Sequence, residues 1–332
     1  MSERRAVSGP RFELGGADER YPGQLALTAD PPQVLRGIGD PAVLARPGLA
    51  VVGARKATPY GLSCAKLFAG CAALQGITVI SGGAIGCDQA AQTAALDAGG
   101  TVVSVAGSGA DYCYPANAHN LYRRIIATGG AVVSELPWGT SPRRHTFVRR
   151  NRIIAGLARA ILIVEAGLGS GTFSTADAAL ADGRDVLVVP GSIFSPESAG
   201  SNRLLGQGAI PVYDERSFLD ALTGCFGLML MTDQQLVGAL PGESEGEEGA
   251  SLRTWVLRAL TASPMRPDAL AREARVDISA LMAELAQLEL AGEVERYRDG
   301  RYGAAVEARI GLTSAAGGRI GAAAGKPCEE EA

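Results

Sequence analysis

Seven short apolar runs recur along the middle of the chain, at 49–52, 77–80, 101–105, 131–133, 160–164, 186–189 and 210–212. Most hold four or five residues, are rich in valine and isoleucine, and show no polar alternation. A strand with one wet face alternates, whereas a strand covered on both faces does not. Helix-length segments lie between the runs, at 62–74, 88–97, 118–127, 150–158 and 175–182. This alternation predicts a Rossmann-like α/β fold, a doubly wound and mainly parallel sheet with helices on both faces.

The flanks read differently. Residues 1–20 are expected to be a flexible leader, with the core running over 21–225. Residues 239–249 carry four glutamates and three glycines, the composition of a solvated acidic linker. Residues 250–303 form a second unit, with helices expected at 252–260, 268–274 and 279–290. Glu293-Val294-Glu295-Arg296-Tyr297 and Arg301-Tyr302 then flank Asp299-Gly300, a strong hairpin signal. Three helices followed by a two-stranded wing describe a winged-helix domain. Residues 304–332, rich in alanine and glycine, are expected to be a disordered tail.

Composition narrows the class. The 332 residues are 47% hydrophobic with a net charge of −4, enough apolar surface for a sizeable core. The 44 glycines cluster after the apolar runs and have no three-residue period, so the chain is not collagen-like. No run approaches the ~20 apolar residues of a membrane helix, and the first residues lack the apolar centre of a signal peptide. A soluble, cytoplasmic protein is expected. Cysteines at 64, 71, 87, 113, 225 and 328 include no Cys-x-x-Cys pair and read as thiols in a reducing compartment. His119 and His145 are the two histidines and lack metal-ligand spacing, so neither a metal nor a cofactor is expected.

Ligands of open α/β sheets bind beyond the C-terminal strand ends, and those ends carry unusual residues here. The first run leads into Gly53-Ala54-Arg55-Lys56-Ala57-Thr58. The second ends in Ser81-Gly82-Gly83-Ala84-Ile85-Gly86, the third in Gly107-Ser108-Gly109, and the fifth in Glu165-Ala166-Gly167 before Gly169-Ser170-Gly171-Thr172. Glycine turns ahead of helix N-termini suit phosphates, and arginine can grip one with two hydrogen bonds. Neither the dinucleotide fingerprint nor a Gly-x4-Gly-Lys-Ser/Thr loop is present.

Five arginines fall within residues 143–152, with Phe147 among them. Cations interleaved with an aromatic suit single-stranded nucleic acid, where phosphates pair and bases stack. The competing reading pairs these arginines internally with acids such as Glu135 and Glu165. A net charge of −4 does not oppose strand binding, because screening confines exposed charge effects to about 8–10 Å. The candidate interface comprises Gly53, Arg55, Lys56 and Thr58, then Ser81, Gly82 and Gly86. It continues with Phe147, Arg149, Arg150, Asn151 and Arg152, and with Ser170, Gly171 and Thr172. The winged helix carries eight arginines and eight acidic residues between Arg253 and Arg301, and its third helix has no basic residue. A major-groove reader needs arginine, lysine or asparagine there, so a packing or protein-contact module is expected, not a transcription regulator.

Over about 21–222 the chain resembles the DNA processing protein A family (DprA, also called Smf). The resemblance rests on ordered motifs: Tyr21-Pro22, Val52-Gly53-Ala54-Arg55 with Thr58 and Tyr60-Gly61, Ser81-Gly82 with Gly86-Cys87-Asp88, and Tyr114-Pro115. It continues through Ser134-Glu135-Leu136-Pro137, the specific run Arg150-Asn151-Arg152-Ile153-Ile154-Ala155-Gly156-Leu157, Val164-Glu165-Ala166, Ser170-Gly171-Thr172 and Pro190-Gly191. The resemblance implies a core that binds single-stranded DNA without a catalytic residue, forms a homodimer, and hands DNA to the RecA recombinase during natural transformation. It makes Arg55 a DNA-phosphate contact and places Phe147, Arg150 and Arg152 on the strand-binding surface. Three positions depart from the family pattern: Ile85 stands at a basic position, Gln92 where histidine is usual, and Ala54 where serine is usual. The core is also similar to nucleotide-monophosphate phosphoribohydrolases, which share a Gly-x-Gly-Thr-x-x-Glu motif. Here Thr175 occupies the carboxylate position of that motif, with Asp177 and Glu165 as possible substitutes. A nucleotide-binding or phosphoribohydrolase-like enzyme is therefore the alternative.

Overall fold

The computed structural model describes residues 6–227, 252–262, 264–297 and 300–305. The expected linker at 239–249 and the tail from 306 onward lie outside them. The chain divides into two units, 1–236 and 237–332.

In the first unit, the apolar runs become β3 (Gly48–Val52), β4 (Thr78–Ser81), β5 (Val102–Val105), β6 (Ala131–Ser134), β7 (Ala160–Ile163), β8 (Asp185–Val188) and β9 (Ile210–Pro211). All seven are parallel to their neighbours in this set, in the spatial order β6-β5-β4-β3-β7-β8-β9. The alternating side chains divide between two cores. Leu49, Val51, Val79 and Leu162 pack on one face, with α2 (Pro59–Leu74), α3 (Cys87–Asp97), α4 (His119–Ala127) and α8 (Glu215–Phe226). Ala50, Val52, Ile161 and Ile163 pack on the other, with the single turn α1 (Gly23–Ala26), α5 (Arg144–Leu157), α6 (Thr172–Ala181) and α7 (Ala199–Gly206). Burial on both faces is why β3 through β7 read as unbroken apolar runs.

The chain winds outward from β3 through β4, β5 and β6, then crosses back to place β7 on the other side of β3. The winding direction reverses between β3 and β7, where loops leave in opposite directions and open a crevice.

Two further strands lengthen the sheet to nine: β1 (Arg11–Gly15) pairs antiparallel with β2 (Val34–Gly39), and β2 pairs antiparallel with β6. The expected flexible leader over 1–20 is therefore corrected at 11–15. Arg11 and Glu13 face out while Phe12 and Leu14 are buried, the half-wet pattern of an edge strand.

The second unit consists of α9 (Leu252–Ala262), α10 (Pro267–Ala274), α11 (Ile278–Leu290) and a hairpin of β10 (Val294–Arg296) and β11 (Tyr302–Ala304). Leu281, Leu285 and Leu288 form the inward stripe of α11 and meet Val256, Leu260, Leu270 and Tyr302 in a separate small core. This is a winged-helix arrangement. Ala304, expected to begin the tail, closes β11 and is buried.

Because Leu14 is fully buried in β1, Leu14→Ala should lower unfolding free energy by about 2–5 kcal/mol in urea titrations. An unchanged midpoint would return the segment to a leader.

Candidate nucleic-acid interface

The two lips of the crevice are joined at their base. Thr58 ends the loop after β3 and caps α2, its hydroxyl accepting from the Gly61 N–H at 3.1 Å. The Thr58 N–H donates to Glu165 Oε2 at 2.8 Å, and its hydroxyl donates to Oε1 at 2.6 Å. Glu165 sits just past β7, so one carboxylate bridges both loops. A side chain at position 61 would block this approach, since a Cβ there would lie 2.6 Å from Oε2. Burial pushes the Glu165 carboxyl up while the two Thr58 bonds oppose it. In the competing internal-pairing reading, Glu165 is an acid for the arginine cluster; its bonds run to Thr58 instead.

Arg150 lies beneath the floor, only 5% exposed. Its Nη1 donates to the Gly82 carbonyl at 2.7 Å and to the Val105 carbonyl, tying the ends of β4 and β5 together. Asp88, at the start of α3, is buried beside it and accepts from the N–H groups of Gly82 at 3.1 Å and Ala84 at 3.4 Å. Burial pushes the Asp88 carboxyl up, and the Arg150 charge is the main opposing influence. Gly86 closes this turn with φ +99°, and a Cβ there would fall 2.3 Å from the Ala54 carbonyl oxygen. Glycine is required on both counts.

Above this floor the crevice encloses about 460 Å³. Gly53, Arg55 and Lys56 form one wall, and Ser170, Gly171 and Thr172 form the opposite wall at the N-terminus of α6. Phe147, Arg150 and Asn151 of α5 close the space between them. Arg55 and Lys56 are exposed and have no acidic partner within 4 Å among the described residues. Asn151 donates to Ser174 Oγ at 2.7 Å and to the Gly171 carbonyl at 3.3 Å, fixing the α6 turn. Ser170 Oγ donates to Thr172 Oγ1 at 2.8 Å.

The remaining candidates lie apart. Ser81 is fully buried and donates to the Val51 carbonyl at 2.7 Å, beneath the site instead of in it. Arg149 and Arg152 turn to Glu135, at 3.2 and 2.5 Å, and Arg152 also reaches Asp30 at 2.9 Å. Glu135 thus takes the internal-pairing role for part of the arginine cluster. Sequence reasoning passed over Val148 and Leu168, which line the rim at 57% and 62% exposure. It also gave no role to Tyr114, nine residues beyond the β5 end, where strand-end logic could have found it. Thr175 lines the crevice where the phosphoribohydrolase motif carries its carboxylate, while exposed Asp177 is not among the lining residues.

Fold and crevice together define a Rossmann-like α/β protein with exposed cations, without an ion-pair partner among the described residues, at the switch point of its sheet, and with a winged-helix unit. Residues 14–223 match the family described as DNA recombination-mediator protein A, and residues 241–300 match the DprA winged helix domain. Protein Smf of Escherichia coli is 37% identical over 285 residues, 85% of this chain and 75% of that protein. Putative DNA processing protein DprA of Mycobacterium tuberculosis is 40% identical over 257 residues, 76% of this chain and 63% of that protein. The solved DprA of Streptococcus pneumoniae superposes with TM-score 0.59 at 34% identity, covering 65% of this chain and 75% of that one. DNA processing protein A of Helicobacter pylori, whose structure describes a single-stranded DNA binding mode, superposes with TM-score 0.59 at 30% identity, covering 66% and 98%. The chain belongs to the DNA recombination-mediator protein A family, DprA/Smf.

Removing Arg150 would strand the Asp88 carboxylate and two strand-end carbonyls. Arg150→Ala should therefore cost about 3–5 kcal/mol of stability in chemical denaturation. A cost within ~0.5 kcal/mol, typical of surface positions, would mean that Arg150 is a solvated ligand contact after all.

Proposed function

We propose that this protein binds single-stranded DNA in the switch-point crevice and does not cut it. The carrying observation is the pair Arg55 and Lys56: exposed cations without an ion-pair partner among the described residues, facing a helix N-terminus across a concave opening. Such a wall attracts phosphate, and polypeptide N–H groups at α6 can complete the contact. Phe147 and the apolar rim add surface for bases. The single-stranded DNA binding mode of the Helicobacter pylori relative supports the same reading.

Within this reading Arg55 and Lys56 are the principal phosphate contacts, Gly53, Ser170, Gly171 and Thr172 supply backbone and hydroxyl donors, and Phe147 is a base contact. Thr58, Gly82, Gly86, Arg150 and Asn151 hold the walls, and Arg149 adds peripheral charge. Crevice-lining carboxylates serve other ends: Asp88 is engaged by backbone N–H groups, and Glu197 accepts from Ser195 Oγ at 3.0 Å. Asp88 is thus not a free acid or base, and the motif position of the phosphoribohydrolase carboxylate is held by Thr175, which is why binding is favoured over glycosidic cleavage. The family resemblance extends the proposal to a cytoplasmic homodimer that protects incoming DNA and passes it to the RecA recombinase during natural transformation. The neutral winged helix contributes little to strand affinity.

Arg55→Ala should weaken binding of a labelled oligo-dT and reduce the slope of log K against log salt by about 0.7. Unchanged affinity would remove Arg55 from the interface. Deleting residues 250–332 should leave oligo-dT affinity within about threefold, whereas loss of a phosphate-binding module would cost orders of magnitude.

A further inference from the structure

The crevice wall opposite Arg55 and Lys56 is built from the loop after β7 and the first turn of α6. Its acceptors are already used inside the turn. The Gly167 carbonyl accepts from the Ser170 N–H at 3.0 Å, and the Ser170 carbonyl from the Phe173 N–H at 3.2 Å. The Gly171 carbonyl accepts from Asn151 Nδ2 at 3.3 Å and from Ser174 Oγ at 2.7 Å. What this wall still offers is donors, because the first N–H groups of a helix have no partner within it.

Two hydroxyls add to that surplus. Thr172 is 7% exposed and Thr175 2%, and both line the crevice. They stand three residues apart on α6, so they share a helix face. Thr172 Oγ1 accepts from Ser170 Oγ at 2.8 Å, which leaves its own proton without an acceptor among the described residues. Thr175 Oγ1 has no hydrogen-bond partner among the described residues. Buried hydroxyls are ordinarily paired, so two such donors beside a helix N-terminus call for an acceptor from outside the chain. The carboxylates that line the same crevice do not fill this role. Asp88 is held by the Gly82 and Ala84 N–H groups, and Glu197 is exposed and accepts from Ser195 Oγ.

Phosphate supplies such acceptors, and the depth of the threonines decides which kind. An internal phosphodiester has one charge, two free oxygens and chain leaving on both sides. A terminal monoester has up to two charges and three strong acceptor oxygens, with chain on one side only. Thr172 and Thr175 are almost fully buried, and the Glu165 bridge to Thr58 fastens the walls together at their base. A strand therefore reaches both hydroxyls more readily with its end than by folding an internal segment inward.

We infer that the α6 wall is a seat for a terminal phosphate monoester of the bound strand, gripped by the Thr172 and Thr175 hydroxyls and the first-turn N–H groups. The inference rests on the strand-binding reading above and makes Thr175 the residue that distinguishes a phosphorylated end from a hydroxyl one.

The test titrates the full-length protein with internally labelled oligo-dT ending in a 5′-phosphate, in a 3′-phosphate, or in hydroxyls at both ends. One phosphorylated strand should bind about tenfold tighter than the hydroxyl-ended strand, the scale of one hydrogen bond to a charged group. Which of the two does so gives the direction in which the strand enters. Thr175→Val should erase that preference by weakening the phosphorylated complex, and Thr175→Ser, which keeps the hydroxyl, should retain it. Equal wild-type affinity for the three strands would overturn the terminal seat while leaving strand binding in place, as would a preference that survives Thr175→Val. Equal weakening of all three strands by Thr175→Val, with Thr175→Ser unimpaired, would assign the hydroxyl to an internal phosphate and also overturn the seat. Failure of the wild type to bind any strand would overturn strand binding itself.

Discussion

Arg150 spans the C-terminal ends of β4 and β5 by donating to the Gly82 and Val105 carbonyls, with Asp88 beside it. Isolated charge in an apolar interior is strongly disfavoured, so the guanidinium and carboxylate depend on each other and on the backbone groups that hydrogen-bond to them. That requirement fixes the turn after β4: the Gly82 and Ala84 N–H groups must point at Asp88, and Gly86 must take its left-handed conformation against the Ala54 carbonyl. The loop bearing Arg55 rests on this turn. Two neighbouring buried charges thus shape a surface that carries charge of its own.

A division of labour among the arginines follows. Arg150 is internal, Arg152 is 17% exposed and committed to Glu135 and Asp30, and Arg149 is 62% exposed yet also beside Glu135. The cationic run that stands out in the sequence mostly stabilises the junction of α5 with its surroundings. The crevice cations without an ion-pair partner among the described residues, Arg55 and Lys56, come from the loop after β3, a less conspicuous part of the sequence.

Most of the first unit was legible because parallel strands buried on both faces must be apolar throughout. β1 and β2 were not read as strands. In β1, Arg11 and Glu13 interrupt a segment with only Phe12 and Leu14 facing in, and β2 contains Arg36 and two glycines. At the site, strand-end glycines Gly53, Gly167, Gly169 and Gly171 line the crevice between β3 and β7. What composition could not show is which way each arginine turns. Helical spacing held that information: Thr146, Arg150, Ile153, Ile154 and Leu157 share the buried face of α5, so Arg150 follows the inward stripe. Ser81 likewise continues the fully buried pattern of β4, which placed it under the site.

The carboxylate bridge from Glu165 to Thr58 has a kinetic consequence. With both banks of the groove fastened to one group, a flexible polyanion bound there as proposed would meet walls that are already held together. Entry is then governed by encounter and electrostatic guidance, and dwell time by how many successive residues of the polymer engage at once, as in multivalent attachment. A pre-shaped trough of this kind spares the ordering entropy of its own loops and leaves the guest's flexibility as the main loss on binding.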